Sequence, residues 1–379
     1  MTEKTKQGSA VTLDGLRQEM RSVDHEILEL VAKRMRLAQT IGEEKHKRQL
    51  PIQDFRVEKQ VVDTASDTCK ALGIDERIGE EVMRPLIRHA VKVQERDRQK
   101  ARQASGGKKV LIVGGAGLMG RWFADFLASQ GHAVSILDPH GPVAGYPQVT
   151  EVEDAALAAE VIIVATPPSV TSSILDDIGM ARTDAVVFDI CSLKSPIKGS
   201  LESLRERGLH VCSIHPMFGP NTDLLSGRHV VVCPLGDDKS VRTVRSLFAD
   251  TCATLVEMSL DDHDHLVSYV LGLSHAVNIV FNDVLSRSGR DLASIRQVSS
   301  TTFENQIRVA GQLARENPHL YYEIQALNHY TPHMLESLET AMAAFHKLIT
   351  HKNRESFVEM MQRARDFYLK GEAEGGTTR

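Results

Sequence analysis

The segment 108–138, KKVLIVGGAGLMGRWFADFLASQGHAVSILD, leaves a chain few ways to fold. An apolar run, a glycine turn, a helix-forming stretch and a second apolar run follow one another, which predicts strand, turn, helix and strand. Gly115, Gly117 and Gly120 stand in a G-x-G-x-x-G spacing where the helix opens. Glycine lets the turn tighten and lets a pyrophosphate reach the helix N-terminus, whose free amides attract anions. Asp138 ends the second strand, eighteen residues beyond Gly120, where a carboxylate can accept a hydrogen bond from a ribose 2′-hydroxyl. Pro139, not a basic residue, follows it, so NAD is expected over NADP. Gly115, Gly117, Leu118, Met119, Gly120, Asp138 and Thr166 make up the expected cofactor site.

Further strand-like runs end at EVIIVATPP (160–168), AVVFDICS (185–192), LHVCSIHP (209–216), RHVVVCP (228–234) and TLVEM (254–258). Strands alternating with helices predict a parallel, doubly wound α/β sheet of the Rossmann type over 105–258. Beyond it the pattern is helical to the end, an all-α domain over 259–379. Doubly wound sheets bind ligands outside the carboxyl ends of their strands. Three polar groups fall there: Thr166-Pro167-Pro168, Ser192 with Lys194, and His215 in HPMFGP. A histidine beside a nicotinamide suits proton abstraction from an alcohol, and a satisfied core histidine fits the same position. His275, Asn278 and Asn282 form a polar stripe at helical spacing on an apolar helix over 266–285. Such a stripe serves either a substrate or a hydrogen-bond network between helices. Arg308 suits a carboxylate or open solvent equally.

Upstream of Lys108 the period is that of helices. Leu13, Leu16, Met20, Val23, Ile27, Leu30, Leu37 and Ile41 form a seven-residue seam, the pattern of a long helix packed on a partner helix. Arg34 occupies the one seam position that should be apolar, and a guanidinium there needs an anion. A second helix is expected from Asp54 to Leu72 and a third through Ile78, Ile87 and Gln94, kinked at Pro85. Glu58 and Gln94 also interrupt apolar seams. The helical domain spans 1–104, and Ser105-Gly106-Gly107 is a flexible boundary.

The 379 residues suit two or three domains. A 42% hydrophobic and 25% charged composition with net charge −5 points away from a bulk nucleic-acid or membrane partner. Five scattered cysteines without a CxxC pair read as reduced thiols of a cytoplasmic protein, and no metal is expected. Residues 266–281 imitate a membrane span but are short and polar-studded, so a buried helix is expected. Residues 1–11 have no signal-peptide core and are expected to be a frayed tail.

These residues also carry a resemblance. GGAGLMG, DICSLK, HPMFGP and LSHAV, in that order between Gly114 and Val277, resemble prephenate dehydrogenases. LRQEM, LVAKR, IGEEK, PIQD and VKVQ, between Leu16 and Gln94, resemble the all-helical, three-helix chorismate mutases. The fusion resembles the bifunctional chorismate mutase–prephenate dehydrogenases of tyrosine biosynthesis, whose first domain makes the second's substrate. The resemblance implies an intertwined homodimer in which cationic side chains enter the helical seams to hold a dicarboxylate. It makes Arg34, with Arg17 from the other subunit, the carboxylate-binding arginines. Lys45 and Gln94 would hydrogen-bond the ether oxygen, Glu58 would accept the substrate hydroxyl, and Asp54 would line the wall. Many family members carry an arginine where this chain has Val57; Arg56 lies one residue early, about a hundred degrees around the helix.

For the second half the resemblance makes His215 the group that deprotonates the ring hydroxyl while hydride passes to NAD. Ser192 would support that contact, and His275 would be a second pocket histidine. For the substrate carboxylate Arg308 fits one family spacing, Gln312 stands where another branch has arginine, and Arg315 is a third candidate. Other readings stay open at this point: an arogenate dehydrogenase, or a helical half that is a non-catalytic regulatory module. The C-terminal helices would supply dimerisation.

Overall fold

The computed structural model describes residues 12–48, 50–102, 107–222 and 224–375. The expected frayed tail 1–11 and Ser105-Gly106 of the expected linker lie outside the described residues. The chain forms two compact units, one of residues up to Ala101 together with Asp250–Cys252, the other of Arg102–Ala249 and the residues from Ala253 on.

The first unit holds three helices, α1 (Leu13–Lys47), α2 (Phe55–Ala71) and α3 (Glu76–Arg102). Thr12 caps α1 and Asp54 caps α2, each side chain accepting a backbone amide of the first turn. The 35 residues of α1 make a rod of about 52 Å. None of them is buried. Its seam leucines, Ile27 and Ile41 are all exposed in the single chain. A row of this kind calls for a partner surface. Helix α3 continues through Pro85.

The second unit runs β1 (Lys109–Val113), α4 (Leu118–Ser129), β2 (Ala133–Leu137), β3 (Gln148–Val149), α5 (Val152–Ala158), β4 (Val161–Val164), α6 (Pro168–Met180), β5 (Val186–Asp189), α7 (Lys198–Glu206), β6 (His210–Pro216), β7 (His229–Pro234), α8 (Asp238–Phe248) and β8 (Thr254–Glu257). The strands form one sheet in the order β3-β2-β1-β4-β5-β6-β7-β8. Alternate residues feed its two faces: Val110 and Ile112 join one apolar layer, Leu111 and Val113 the other. Chain order reverses between β1 and β4, which opens the ligand crevice at their carboxyl ends.

The parallel, doubly wound sheet expected from the sequence is present, with one pairing that departs from it. Strand β7 pairs antiparallel with β6, and β8 follows β7 in parallel. Among the described residues between Pro216 and His229 there is no helix to carry a parallel crossover, so the chain turns back on itself.

The remainder is helical: α9 (Leu260–Val267), a π-helical turn (Ser268–Leu273), α10 (Ser274–Ser286), α11 (Leu292–Arg296), α12 (Thr301–Leu313), α13 (Pro318–Ala326), α14 (Thr331–Thr350) and α15 (Arg354–Gly375). The helix expected over 266–285 is therefore interrupted, because the π-turn lies inside it.

Candidate active sites

In the first unit, Arg34 is half-buried on α1, where burial lowers its pKa from the ordinary arginine value. One of its N–H groups donates to the carbonyl of Leu86 on α3 at 3.2 Å. Lys45 Nζ donates to the Ile52 carbonyl at 2.8 Å, which leaves it two further protons. Burial raises the Glu58 pKa, against the opposing pull of a hydrogen bond from Gln53 and the charge of Lys45. Gln94 is buried; its Nε2 donates to the Ala38 carbonyl at 2.7 Å, and its Oε1 has no hydrogen-bond partner among the described residues. A Cβ on Gly42 would stand 2.5 Å from Gln94 Cγ, so only glycine lets this amide lie against α1. Asp54 is spent on capping α2, while Arg17 is exposed and paired with Asp14 at 3.3 Å. Val57 is exposed, as is Arg56.

In the second unit, the turn after β1 is made by Gly114, whose φ of +88° only glycine adopts freely, and by Gly120. A Cβ on Gly120 would lie 2.2 Å from the Gly114 carbonyl oxygen. Asp138 follows β2 and is buried. Its Oδ2 accepts the Ala116 amide at 2.8 Å and its Oδ1 the His140 amide at 2.9 Å. Burial pushes its pKa up, but these hydrogen bonds and the His140 ring more than reverse this, so it is held as a carboxylate. Thr166 shares a 2.8 Å hydroxyl–hydroxyl contact with Thr171. Leu118 is exposed at the helix opening, and Met119 packs against the core.

His215 is the penultimate residue of β6 and is buried. Its Nδ1 lies 2.8 Å from His263 Nε2, and His263 Nδ1 lies 2.8 Å from Asp264 Oδ1. The Asp264 carboxylate also accepts the Lys194 amide at 2.8 Å, the Ser195 amide and the Ser195 hydroxyl. Lys194 is wholly buried, its Nζ donating to Asp189 at 2.9 Å and to the carbonyls of Cys191 and Ile214. It therefore ties the turn after β5 to the strand that carries His215.

The proton positions follow from the donors. Asp264 is ionised: burial raises its pKa, and bonds from His263, Ser195 and Lys194 outweigh that. An ionised carboxylate only accepts, so His263 carries its proton on Nδ1 and presents a bare Nε2. His215 must then donate from Nδ1, which leaves its own Nε2 unprotonated. Burial, with the repulsion that a proton on His215 would meet from Lys194 and from any proton on His263, holds the His215 pKa well below 6.5, so the ring is neutral at pH 7. The His215 ring therefore presents a bare Nε2.

His275 is half-buried on α10. Its ring lies 4.5 Å from that of Tyr321 on α13, and its Nδ1 has no hydrogen-bond partner among the described residues.

Chorismate mutase type II matches residues 16–95. The nucleotide-binding domain of prephenate dehydrogenase matches 144–257, and the prephenate dehydrogenase dimerization domain matches 259–363. A chorismate mutase of Methanocaldococcus jannaschii is 35% identical over 74 residues, 20% of this chain and 75% of that protein. The T-protein of Enterobacter agglomerans is 27% identical over 314 residues, 82% of this chain and 81% of that one. The chain belongs to the chorismate mutase–prephenate dehydrogenase family. It is both an isomerase and an oxidoreductase. In fold, the second unit resembles prephenate dehydrogenase from Aquifex aeolicus, solved with hydroxyphenyl propionate and NAD+. The TM-score is 0.57 at 22% identity, covering 70% of this chain and 99% of that one.

Among the family residues expected from sequence, Ser192 and His215 end up at the carboxyl ends of adjacent parallel strands, β5 and β6. Asn278 and Asn282 serve helix packing: Asn278 accepts from Gln306 at 2.9 Å, and Asn282 donates to the Ala310 carbonyl at 2.8 Å. Arg308 and Gln312 are exposed on α12, where Arg308 bonds Asn305 and lines a cleft with Arg296 and Arg315. Sequence reasoning missed His263, Asp264, Ser195, Tyr321 and Gly114. The DDHDH run at 261–265 was the available signal for the first two, and its charge makes it look like an ordinary solvated helix start.

Proposed function

We propose that His215 is the base of the dehydrogenase and that Arg34, Lys45, Glu58 and Gln94, completed by Arg17 of a second copy, form the mutase pocket. The two activities are consecutive: chorismate is rearranged to prephenate, and prephenate is oxidatively decarboxylated to 4-hydroxyphenylpyruvate.

The first step is pericyclic and needs neither acid nor nucleophile. It needs the substrate folded into its reactive conformer and the charge developing on the ether oxygen stabilised. Arg34 and Arg17 supply charges for two carboxylates. Lys45 and Gln94 supply the donors at the ether oxygen, and Glu58 accepts the hydroxyl.

The second step requires a proton acceptor at the ring hydroxyl. His215 Nε2 is that acceptor. The imidazolium formed is stabilised through His263 by Asp264, and Ser192 supports the hydroxyl contact. The glycine turn, whose Gly120 leaves space where a Cβ would collide, and the Asp138 carboxylate fit a dinucleotide. Bound there, NAD supplies the two-electron acceptor for the ring's hydride. Loss of carbon dioxide aromatises the ring and drives the reaction forward. His275 and Tyr321 line the substrate side. We take the functional modules to be 1–104, 105–258 and 259–379.

The exposed seam of α1 supports a homodimer, as does the match to a dimerization domain. Five free thiols support a cytoplasmic setting. Among the described residues no helix is long and apolar enough to cross a membrane.

The observation that carries the dehydrogenase reading is the pair of 2.8 Å contacts that join Asp264 to His263 and His263 to the buried His215. Replacing His215 with asparagine should cut turnover on prephenate at least about a hundredfold, the usual size of a general-base contribution. NAD affinity should stay unchanged, measured by titration. Near-normal turnover in that variant removes His215 from the mechanism.

A further inference from the structure

We propose that Gln325 is a positioning residue that sets the direction of His275 by holding the π-turn; this rests on the reading that His275 lines the substrate pocket. The continuous helical segment from Leu260 to Ser286 has two separate tasks. At its start His263 contacts His215 and Asp264 holds the turn after β5, and further on His275 meets Tyr321. In an unbroken α-helix twelve residues turn through about 1,200°, which would set His275 about 120° around the axis from His263. A π-turn holds one extra residue and takes back about one residue's rotation. The two histidines then share a face of the segment.

A π-turn is held only where its displaced carbonyls find donors. Gln325 Nε2 donates to the Gly272 carbonyl at 2.9 Å, and the Ser274 hydroxyl donates to Val270 at 2.7 Å. Gln325 lies one helical turn after Tyr321 on α13, so a single face of that helix grips both the π-turn and the ring of His275. Gly272 is buried against Met334, which closes the turn from another side. Without the Gln325 donor the segment gains by returning to α-helical hydrogen bonding, and His275 swings away from Tyr321.

The test is a double-mutant cycle on the full chain saturated with NAD, reading the dissociation constant of 4-hydroxyphenylpyruvate by calorimetry. Gln325→Leu should weaken binding about tenfold, the worth of one buried hydrogen bond. Gln325→Glu, which keeps the shape but as a carboxylate has no donor, should do the same and stands in if the leucine variant fails to fold. His275→Asn should also weaken binding. Adding Gln325→Leu to it should cost nothing more, because the glutamine acts through the histidine. NAD affinity and mutase turnover should be unchanged in Gln325→Leu. Full additivity in the double variant, or normal binding in both Gln325 variants while His275→Asn is impaired, overturns the proposal alone. Normal binding by His275→Asn overturns the pocket reading and the proposal together.

Discussion

Replacing Asp264 with asparagine changes one atom and should reverse the proton order on which His215 depends. The Oδ2 position faces the Ser195 amide and hydroxyl, and the amide cannot turn away. The Lys194 amide lies 2.8 Å from Oδ1 but also 3.1 Å from Oδ2, so all three donors can meet an oxygen kept at Oδ2, which places the asparagine NH2 where Oδ1 now faces His263. Two donors cannot share that contact, so His263 moves its proton to Nε2. His263 then donates to His215 Nδ1, and the His215 proton shifts to Nε2, the atom that should be bare. A base locked in the wrong tautomer behind a carboxylate-to-amide change loses up to about 10⁴-fold in turnover, or about 5.4 kcal/mol of barrier. The imidazolium also loses its buried counter-charge, so the tautomer cannot recover by simple protonation. The assay is NADH formation from saturating prephenate, with NAD affinity and melting temperature as controls. We expect turnover down by between about 10² and 10⁴ with NAD affinity intact. An Asp264→Asn enzyme that turns over within threefold or so of the parent would refute the proton order, since nothing else in the argument compensates for a misplaced proton.

Asp138→Ala should weaken NAD binding and narrow its advantage over NADP, because the carboxylate that accepts the ribose hydroxyl also repels a phosphate; a parent enzyme that already prefers NADP defeats the assignment. Burial holds both His215 and His263 below their ordinary pKa of 6.5, so the unfolded chain binds more protons than the folded one at acid pH. Stability from these two groups is therefore fully present above about pH 6.5 and is lost as the pH falls below it, by up to about 1.4 kcal/mol per pH unit for each histidine. Urea melts of the parent and of His263→Asn between pH 5 and 8 should differ in slope, and parallel curves would count against a neutral buried pair. Arg34→Leu should leave the proposed dimer intact or more stable, since leucine continues the apolar seam, while mutase turnover falls at least about a hundredfold through loss of charge-assisted bonds to a carboxylate. Dehydrogenase turnover on supplied prephenate should persist. Normal mutase activity in Arg34→Leu would promote the regulatory-module reading of the helical half.

What the sequence made legible was local. The glycine turn and the carboxylate at Asp138 lie within one strand–turn–helix–strand unit, and spacing alone brings them together. Arg34 could be singled out because a seven-residue seam states which residue type belongs at each step, and a guanidinium violates it. The three-helix first unit followed from the same periodicity. The direction of β7 escaped because alternating strand-like runs look the same in either orientation. It depended on a loop too poor in helix to make a crossover.

The relay at His215 was illegible for a different reason. His215 and His263 are 48 residues apart, and nothing short of the folded chain brings α9 against β6. Until then Asp261, Asp262, His263, Asp264 and His265 are five polar neighbours with nothing to rank them. Folding sorts them by face: His263 and Asp264 turn inward and are buried, while Asp261 reaches the Lys198 ammonium at the surface at 2.7 Å. Burial then acts on the inward pair alone. It removes the water that would have leveled their proton affinities, and the order of donors from Ser195 to His215 becomes the only one the hydrogen bonds allow. The basicity of His215 is thus a property of β6, the turn after β5 and α9 taken together. For that reason a one-atom change at Asp264, which need not touch the substrate, is the sharper test of the mechanism than removal of the histidine itself.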